Sequence, residues 1–247
     1  MVNKFLLPSG FKDNLSFEPS VEHKYKNLII QSFRENGFTL IKTPLIEYSN
    51  NLDSNTLRIN TKQKKIKLSI RNDITPQIIR IASSRLAKKM RPLKLCYYGE
   101  VVRKNGSILR PERQFQQIGA EIIGSESYKA DVEIINLAYE TLKNIGVKNI
   151  VIEISAPLFL DSLLSKIKNK TLKLKLKKFI ELKDLNNCLK LLSDKELIKN
   201  FKILYSSSGN IKNKKKQIKE ISNKIGFKLE TLRLLKIANL INIAKGD

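Results

Sequence analysis

Arg71-Asn-Asp-Ile-Thr-Pro-Gln77 joins two different periodicities. Upstream, Ile66, Leu68 and Ile70 alternate with Lys65, Lys67 and Ser69, the period-two pattern of a half-buried strand. Downstream, Ile78, Ile79, Ala82 and Leu86 recur at helical spacing. Pro76 stands at the first helical position, where a missing N–H costs nothing, and Thr75 is the expected cap. A strand therefore runs into a helix through a cluster of polar side chains, Arg71, Asp73, Thr75 and Gln77.

The flanking chain extends this pattern. Val21, Tyr25, Leu28, Ile29 and Phe33 share one helical face, and Asn36-Gly37 ends that helix. Residues 38–46 are strand-like but broken by Pro44, which a sheet tolerates only at an edge, an end or a bulge, so this strand is expected to border something such as another subunit. Two long strands are predicted over 93–102 and 113–123, with the polar turn Lys104-Asn105-Gly106-Ser107 and its Asn-Gly reversal between them. A helix is expected over 127–145 and a strand over 149–154. Beyond Ala156 strand-like runs disappear and Leu, Lys, Asn and Ile dominate at helical spacing. The fold class is α+β, with a mixed region over 1–156 and a lysine-rich helical segment over 157–247; the low-complexity stretch 211–219 reads as a loop or an exposed helix face.

At 247 residues with 41% hydrophobic and 28% charged side chains, the chain can bury a sizeable core, which excludes a disordered or disulfide-scaffold protein. No apolar run approaches the roughly 18 residues a membrane span needs, and Pro8 interrupts the start before a signal-type stretch develops, so a soluble cytoplasmic protein is expected. Cys96 and Cys188 lie far apart in apolar contexts and read as reduced core thiols. With His23 the only histidine and no Cys-x-x-Cys, neither a zinc site nor any other cofactor is expected.

The formal charge is +24, of which residues 161–247 carry 22 basic and 8 acidic side chains. Such a field attracts nucleic acid and acidic partners. However, only ten of the 47 basic residues are arginine, the side chain suited to bidentate phosphate and base recognition. Lysine rises together with Ile and Asn, as it does in AT-rich genomes. The charge therefore reads as a solvated lysine surface, and no nucleic-acid partner is expected.

Two further polar clusters accompany the first: Glu100 with Arg103, then Arg110, Glu112, Arg113, Gln114, Gln117 and Glu121. Strand residues two or four apart share a face, which places Arg113, Gln117 and Glu121 together. Three such patches on one sheet are as consistent with a binding face as with the wet side of an antiparallel sheet.

Pro8-Ser-Gly-Phe-Lys-Asp13, Pro44, Arg71-Asn-Asp-Ile-Thr-Pro-Gln77 and Arg113-Gln-Phe-Gln-Gln-Ile-Gly-Ala-Glu121 resemble the catalytic core of histidyl-tRNA synthetases. Asp-Ile-Thr-Pro-Gln, Gly99-Glu-Val-Val-Arg103 and Leu109-Arg-Pro-Glu-Arg-Gln-Phe115 resemble more closely their non-catalytic relatives, the regulatory subunits of ATP phosphoribosyltransferase. The resemblance covers residues 7–164. It implies a class II aminoacyl-tRNA synthetase-like fold, an antiparallel sheet flanked by helices with a C-terminal helical segment, dimerising through the region of Pro44. It also implies that Asp73, Thr75, Gln117 and Glu121 surround the amino group of histidine, and that Arg103 contacts an α-phosphate, with Arg113 a second candidate for an anion. An ammonium has three donors and no acceptor, so two carboxylates with neutral oxygens suit it.

Departures from the synthetase pattern separate the two relatives. Asn105 stands where that pattern has an adenine-reading glutamate, and Arg233 is the only arginine after Arg113. With Gly209, Gly226 and Gly246 the only glycines after residue 160, the glycine-rich third motif has no counterpart. Adenylyl transfer relies on such fixed cations, so no adenylation is expected. The resemblance thus implies a regulatory subunit that binds the short-form ATP phosphoribosyltransferase catalytic subunit, with L-histidine as effector. Its rivals are a degenerate histidyl-tRNA synthetase and an RNA-binding synthetase paralogue. Related regulatory subunits continue into further strands, so the chain is expected to be a shortened version or a fragment.

Overall fold

The computed structural model describes residues 6–15, 17–49, 55–61, 66–155, 157–226 and 228–244. Lys65, the boundary residue Ala156 and residues 245–247 lie outside the described residues. The chain divides between Ile150 and Val151 into two compact units.

In the first unit, α1 (Phe17–Glu35) leads through Gly37, at φ 84°, into β1 (Thr39–Ile41). Pro44 does not interrupt one strand. It separates β1 from β2 (Ile46–Tyr48), and the two belong to different sheets. β2, β3 (Leu57–Ile59) and β4 (Leu68–Ile70) form a small antiparallel sheet in the order β2-β4-β3. α2 (Thr75–Ser83) follows β4 directly.

The larger strands β5 (Leu93–Val102) and β6 (Gln114–Ile123) pair antiparallel along their whole length, from Leu93 opposite Ile123 to Val102 opposite Gln114. β1 adds to β5 in parallel, completing a sheet of order β1-β5-β6. The two faces of this sheet are specialised. Cys96, Ile118, Ala120 and Ile122 pack with Ile30 and Phe33 of α1 and with Leu137 of α3 (Tyr128–Asn144), whose N-terminal Lys129 amide donates to Ser127. Leu95, Tyr97, Val101 and Phe115 pack on the opposite side with Ile74 and Ile78. This period-two division is what the alternation of the strands dictates.

Three expectations are corrected. The cap of α2 is Ile74, and Thr75 is already helical, so its hydroxyl is released for other work. The buried side chains of α2 are Gln77, Ile78 and Ala82, whereas Ile79 is exposed. Residues 149–154 are not a strand: nothing among the described residues pairs with them, Val151 is exposed, and an unpaired extended segment leaves its backbone groups to water.

The second unit holds α4 (Pro157–Ser165), α5 (Lys170–Glu181), α6 (Leu185–Lys190), α7 (Lys195–Ser206), α8 (Ile211–Ile225) and α9 (Lys228–Ala244). Asn169, Asp184 and Asp194 cap α5, α6 and α7 through their side chains, each satisfying amides of a first turn. Leu163, Leu164, Leu176, Cys188, Leu197 and Phe201 form its core. The lysine-rich stretch 211–219 is helical and buries Ile218 while exposing Lys215, Lys216 and Lys219, so it is an amphipathic helix. Cys96 and Cys188 are buried free thiols in separate units, as expected, and burial raises both above the usual thiol range.

Candidate functional site

The polar cluster at the β4–α2 junction divides in two. Arg71, 5% exposed, turns inward. Its guanidinium donates to the carbonyls of Glu100 at 2.7 Å and Thr43 at 2.9 Å and to the Thr43 hydroxyl at 2.8 Å. Gln77 follows it, donating to Pro44 O at 3.1 Å and Glu47 Oε2 at 2.9 Å. Burial lowers the Arg71 pKa, opposed by the nearby charges of Glu100 and Glu47. Gly99 makes this possible, because a Cβ there would lie 2.1 Å from the guanidinium. Arg71 and Gln77 thus tie the two sheets together and are structural.

Asp73 and Thr75 turn the other way, toward β6. Gln117 receives the Ile74 amide on Oε1 at 3.0 Å and donates through Nε2 to Asp73 Oδ1 at 2.7 Å. The same Asp73 oxygen accepts the Thr75 amide at 3.1 Å. Thr75 Oγ1 donates to Glu121 Oε1 at 3.0 Å. Asp73, Thr75, Gln117 and Glu121, far apart in sequence, therefore form one continuous hydrogen-bonded chain. Gln117 and Glu121 meet it because residues two and four apart on β6 share a face.

A fifth member was missed in the sequence. Tyr97 places its hydroxyl 2.8 Å from Thr75 Oγ1 and 3.4 Å from Glu121 Oε1. Burial pushes its pKa up to about 12, and the charges of Glu121 and Asp73 act in the same direction while the Thr75 hydroxyl opposes them. Tyr97 lies across Gly119, its cross-strand partner, where a Cβ would sit 2.3 Å from the phenolic oxygen. A glycine flanked by Gln117 and Glu121, opposite a tyrosine in a paired strand, was the available signal.

This arrangement presents acceptors. Asp73 and Glu121 each use one carboxylate oxygen within the chain, leaving the other to a further donor. Arg71 and Arg113 donate to main-chain carbonyls instead, so neither neutralises the pair. A polyvalent cationic donor such as an ammonium fits such a site.

The remaining predicted residues lie at the loop end of the β5–β6 hairpin. Arg103 lines a cavity of about 450 Å³ with Asn55, Lys104, Asn105, Ser107, Arg110 and Glu112. The guanidinium carbons of Arg103 and Arg110 lie 4.9 and 4.4 Å from the Phe115 ring centroid. Arg113 does not join them: it donates to Arg103 O at 3.0 Å and Ser9 O at 3.1 Å and stacks on Phe11, pinning the segment before α1. Glu100 faces elsewhere, accepting from Gln116 at 2.5 Å. The chain reversal is also displaced from its expected place, since the tight turn closes between Ser107 and Arg110, not at Asn105-Gly106.

Comparison with known proteins adds two kinds of likeness. The chain is 38% identical over 167 residues to the ATP phosphoribosyltransferase regulatory subunit of Paramagnetospirillum magneticum, a match covering 63% of this chain and 43% of that protein. It is 38% identical over 157 residues to the protein of the same name from Thermoanaerobacter pseudethanolicus, covering 60% and 40%. The matches thus span less than half the length of these curated relatives. In fold, the chain is similar to an ATP phosphoribosyltransferase regulatory subunit/histidyl-tRNA synthetase from Bacillus halodurans, with TM-score 0.82, 23% identity and coverage of 97% of this chain and 65% of the other. It is also similar to histidyl-tRNA synthetase from Nostoc, with TM-score 0.76, 18% identity and coverage of 99% and 59%. The fold is therefore the class II synthetase-like one that the motifs implied. The family model described as histidyl-tRNA synthetase matches residues 10–244, nearly all of the sequence, and this chain belongs to that family.

Proposed function

We propose that the chain acts as a non-catalytic regulatory subunit of ATP phosphoribosyltransferase, in the first step of histidine biosynthesis, with the phosphoribosyl transfer carried out by a short-form catalytic subunit. The observation that carries this reading is the name borne by relatives that are 38% identical over 167 and 157 residues. Asn105 supports it, standing where the synthetase pattern has its adenine-reading carboxylate.

In this reading Asp73, Thr75, Gln117 and Glu121 hold the ammonium of L-histidine, the feedback effector. Arg103 and Arg113 are the proposed contacts for an anion, Arg103 from the cavity wall and Arg113 through whatever donor capacity its main-chain bonds leave. The chain pairs as a dimer through the region of Pro44, works in the cytoplasm, and joins a synthetase-like region over 1–156 to a helical region over 157–247. Among the described residues no helix is long and apolar enough to cross a membrane.

The test combines the chain with the short-form catalytic subunit and measures phosphoribosyl transfer and histidine binding. The expected result is activation of transfer, with no histidine-dependent ATP–pyrophosphate exchange by the chain alone. Asp73→Asn or Glu121→Gln should weaken histidine binding by about ten- to a hundredfold, the equivalent of roughly 1.5 to 3 kcal/mol for one charge-assisted hydrogen bond, while leaving assembly intact. Exchange at synthetase rates, or no activation, overturns the reading. Equal histidine affinity in all three proteins overturns the assignment of the site.

A further inference from the structure

The turn between β5 and β6 carries an apolar pair that the proposed function leaves unexplained. Ile108 and Leu109 have relative exposures of 102% and 98%, the highest among the large apolar side chains described. Isolated exposed apolar residues are ordinary, but two adjacent branched ones at the apex of a closed turn are not.

The turn is built to hold them there. Ser107 N donates to Arg110 O at 2.7 Å, and Arg110 N donates back to Ser107 O at 3.2 Å and to Ser107 Oγ at 3.0 Å. Ile108 and Leu109 are thus the two central residues of a doubly closed four-residue turn, and both point into solvent. Below the turn, Arg110 stacks on Phe115, which is itself packed against the sheet core. Gly106 lies so close to Pro111 that a Cβ would meet its carbonyl oxygen at 2.4 Å. Three separate features thus fix the backbone of a loop whose apex buries nothing, and a fixed loop loses little conformational entropy when a partner covers it.

The surroundings specify what that partner looks like. Arg103, Lys104 and Arg110 flank the turn, with Glu112 the one carboxylate in the same cavity wall. The rim of the apolar apex is therefore cationic. We propose that Ile108 and Leu109 form a preorganised knob that docks into an apolar socket rimmed by carboxylates on the catalytic partner. The identity of that partner rests on the function proposed above. The knob supplies a desolvated centre and the arginine–lysine rim steers the encounter, the division of labour found at protein interfaces.

The experiment measures binding of the whole chain to the short-form catalytic subunit by titration calorimetry and by association rate at two salt concentrations. Three proteins are compared: wild type, Ile108→Ser with Leu109→Ser, and Lys104→Glu. Because both knob residues are fully exposed, the double variant should keep the wild-type thermal midpoint and histidine affinity. It should bind the catalytic subunit on the order of a hundredfold more weakly, mostly through faster dissociation. Lys104→Glu should slow association about tenfold at low salt and much less at high salt. Undiminished binding by the double variant overturns the docking and leaves the regulatory reading intact. No complex with wild type overturns both. Loss of self-association or of tRNA binding in the double variant, with partner binding unchanged, overturns the docking and assigns the knob to that other occupant.

Discussion

Arg71 and Asn200 are both buried polar side chains, 5% and 1% exposed, and they are treated in opposite ways. Arg71, in the synthetase-like unit, reaches carbonyls or hydroxyls of Thr43 and Glu100 and lies beside Gln77. Asn200, in the helical unit, leaves both its Oδ1 and its Nδ2 without a partner. A buried guanidinium is costly unless its donors are used, and here they join segments that share no sequence continuity. Polar burial at Arg71 therefore specifies geometry: it fixes β4 against β5, and thereby the position of Asp73 and Thr75. Around Asn200 the apolar core sets the packing, and the buried amide adds a cost without a return.

The largest effect expected from this contrast is at Arg71. Arg71→Met keeps the length of the side chain and removes every donor, leaving the Thr43 and Glu100 carbonyls unpaired in the interior. Loss of about 2–5 kcal/mol is expected, since each of the two carbonyls left without a donor costs roughly 1–3 kcal/mol. Urea unfolding monitored by tyrosine fluorescence measures it. A loss below about 1 kcal/mol would remove the distinction between the two units.

Next comes the alkaline behaviour of Tyr97. Its folded pKa of about 12 exceeds the ordinary tyrosine value of 10, so the folded state holds the phenolic proton more tightly. That contribution is fully present below pH 10 and is lost as pH rises toward 12. With Tyr97 almost wholly buried, the wild type should lose about 1.4 kcal/mol more than Tyr97→Phe by pH 11, because each pH unit crossed between the unfolded and folded pKa values is worth about 1.36 kcal/mol and pH 11 lies about one unit into that window. Parallel stability profiles from pH 8 to 11 would show that the tyrosine is not enclosed by the site.

How much of this was legible beforehand follows from the same residues. The β4–α2 junction, the long hairpin and the pair Gln117 and Glu121 could be read because period-two and helical spacing state directly which side chains share a face. Which way Arg71 and Gln77 turn could not be read, because it depends on carbonyls of Thr43, Pro44 and Glu100 supplied by other segments. Thr75 looked like a cap because its hydroxyl suits that role; only the fold reveals the competing acceptor on Glu121. Tyr97 was hidden for a similar reason, since its importance lies in the register that sets it opposite Gly119. Residues 149–154 alternate like a strand but find no neighbour among the described residues, and pairing is a property of two segments rather than one.

The smallest effect is expected at Asn200, and it carries the opposite sign. Its amide is enclosed on α7 between Leu197 and Phe201 in sequence, and neither polar atom has a hydrogen-bond partner. An uncompensated buried amide costs on the order of 1–3 kcal/mol by mutational measures. Leucine has nearly the same side-chain length, a better helix propensity and no polar atom. Asn200→Leu should therefore stabilise the helical unit by about 1 kcal/mol, the remainder being offset by imperfect packing of the second methyl group. Hydrogen exchange of the α7 amides should slow by about fivefold, while the amides of β5 and β6 are unaffected. Destabilisation by Asn200→Leu, with faster exchange along α7, would mean that the amide is satisfied by a bound water, and that the helical unit positions its buried polar groups as deliberately as the first unit does.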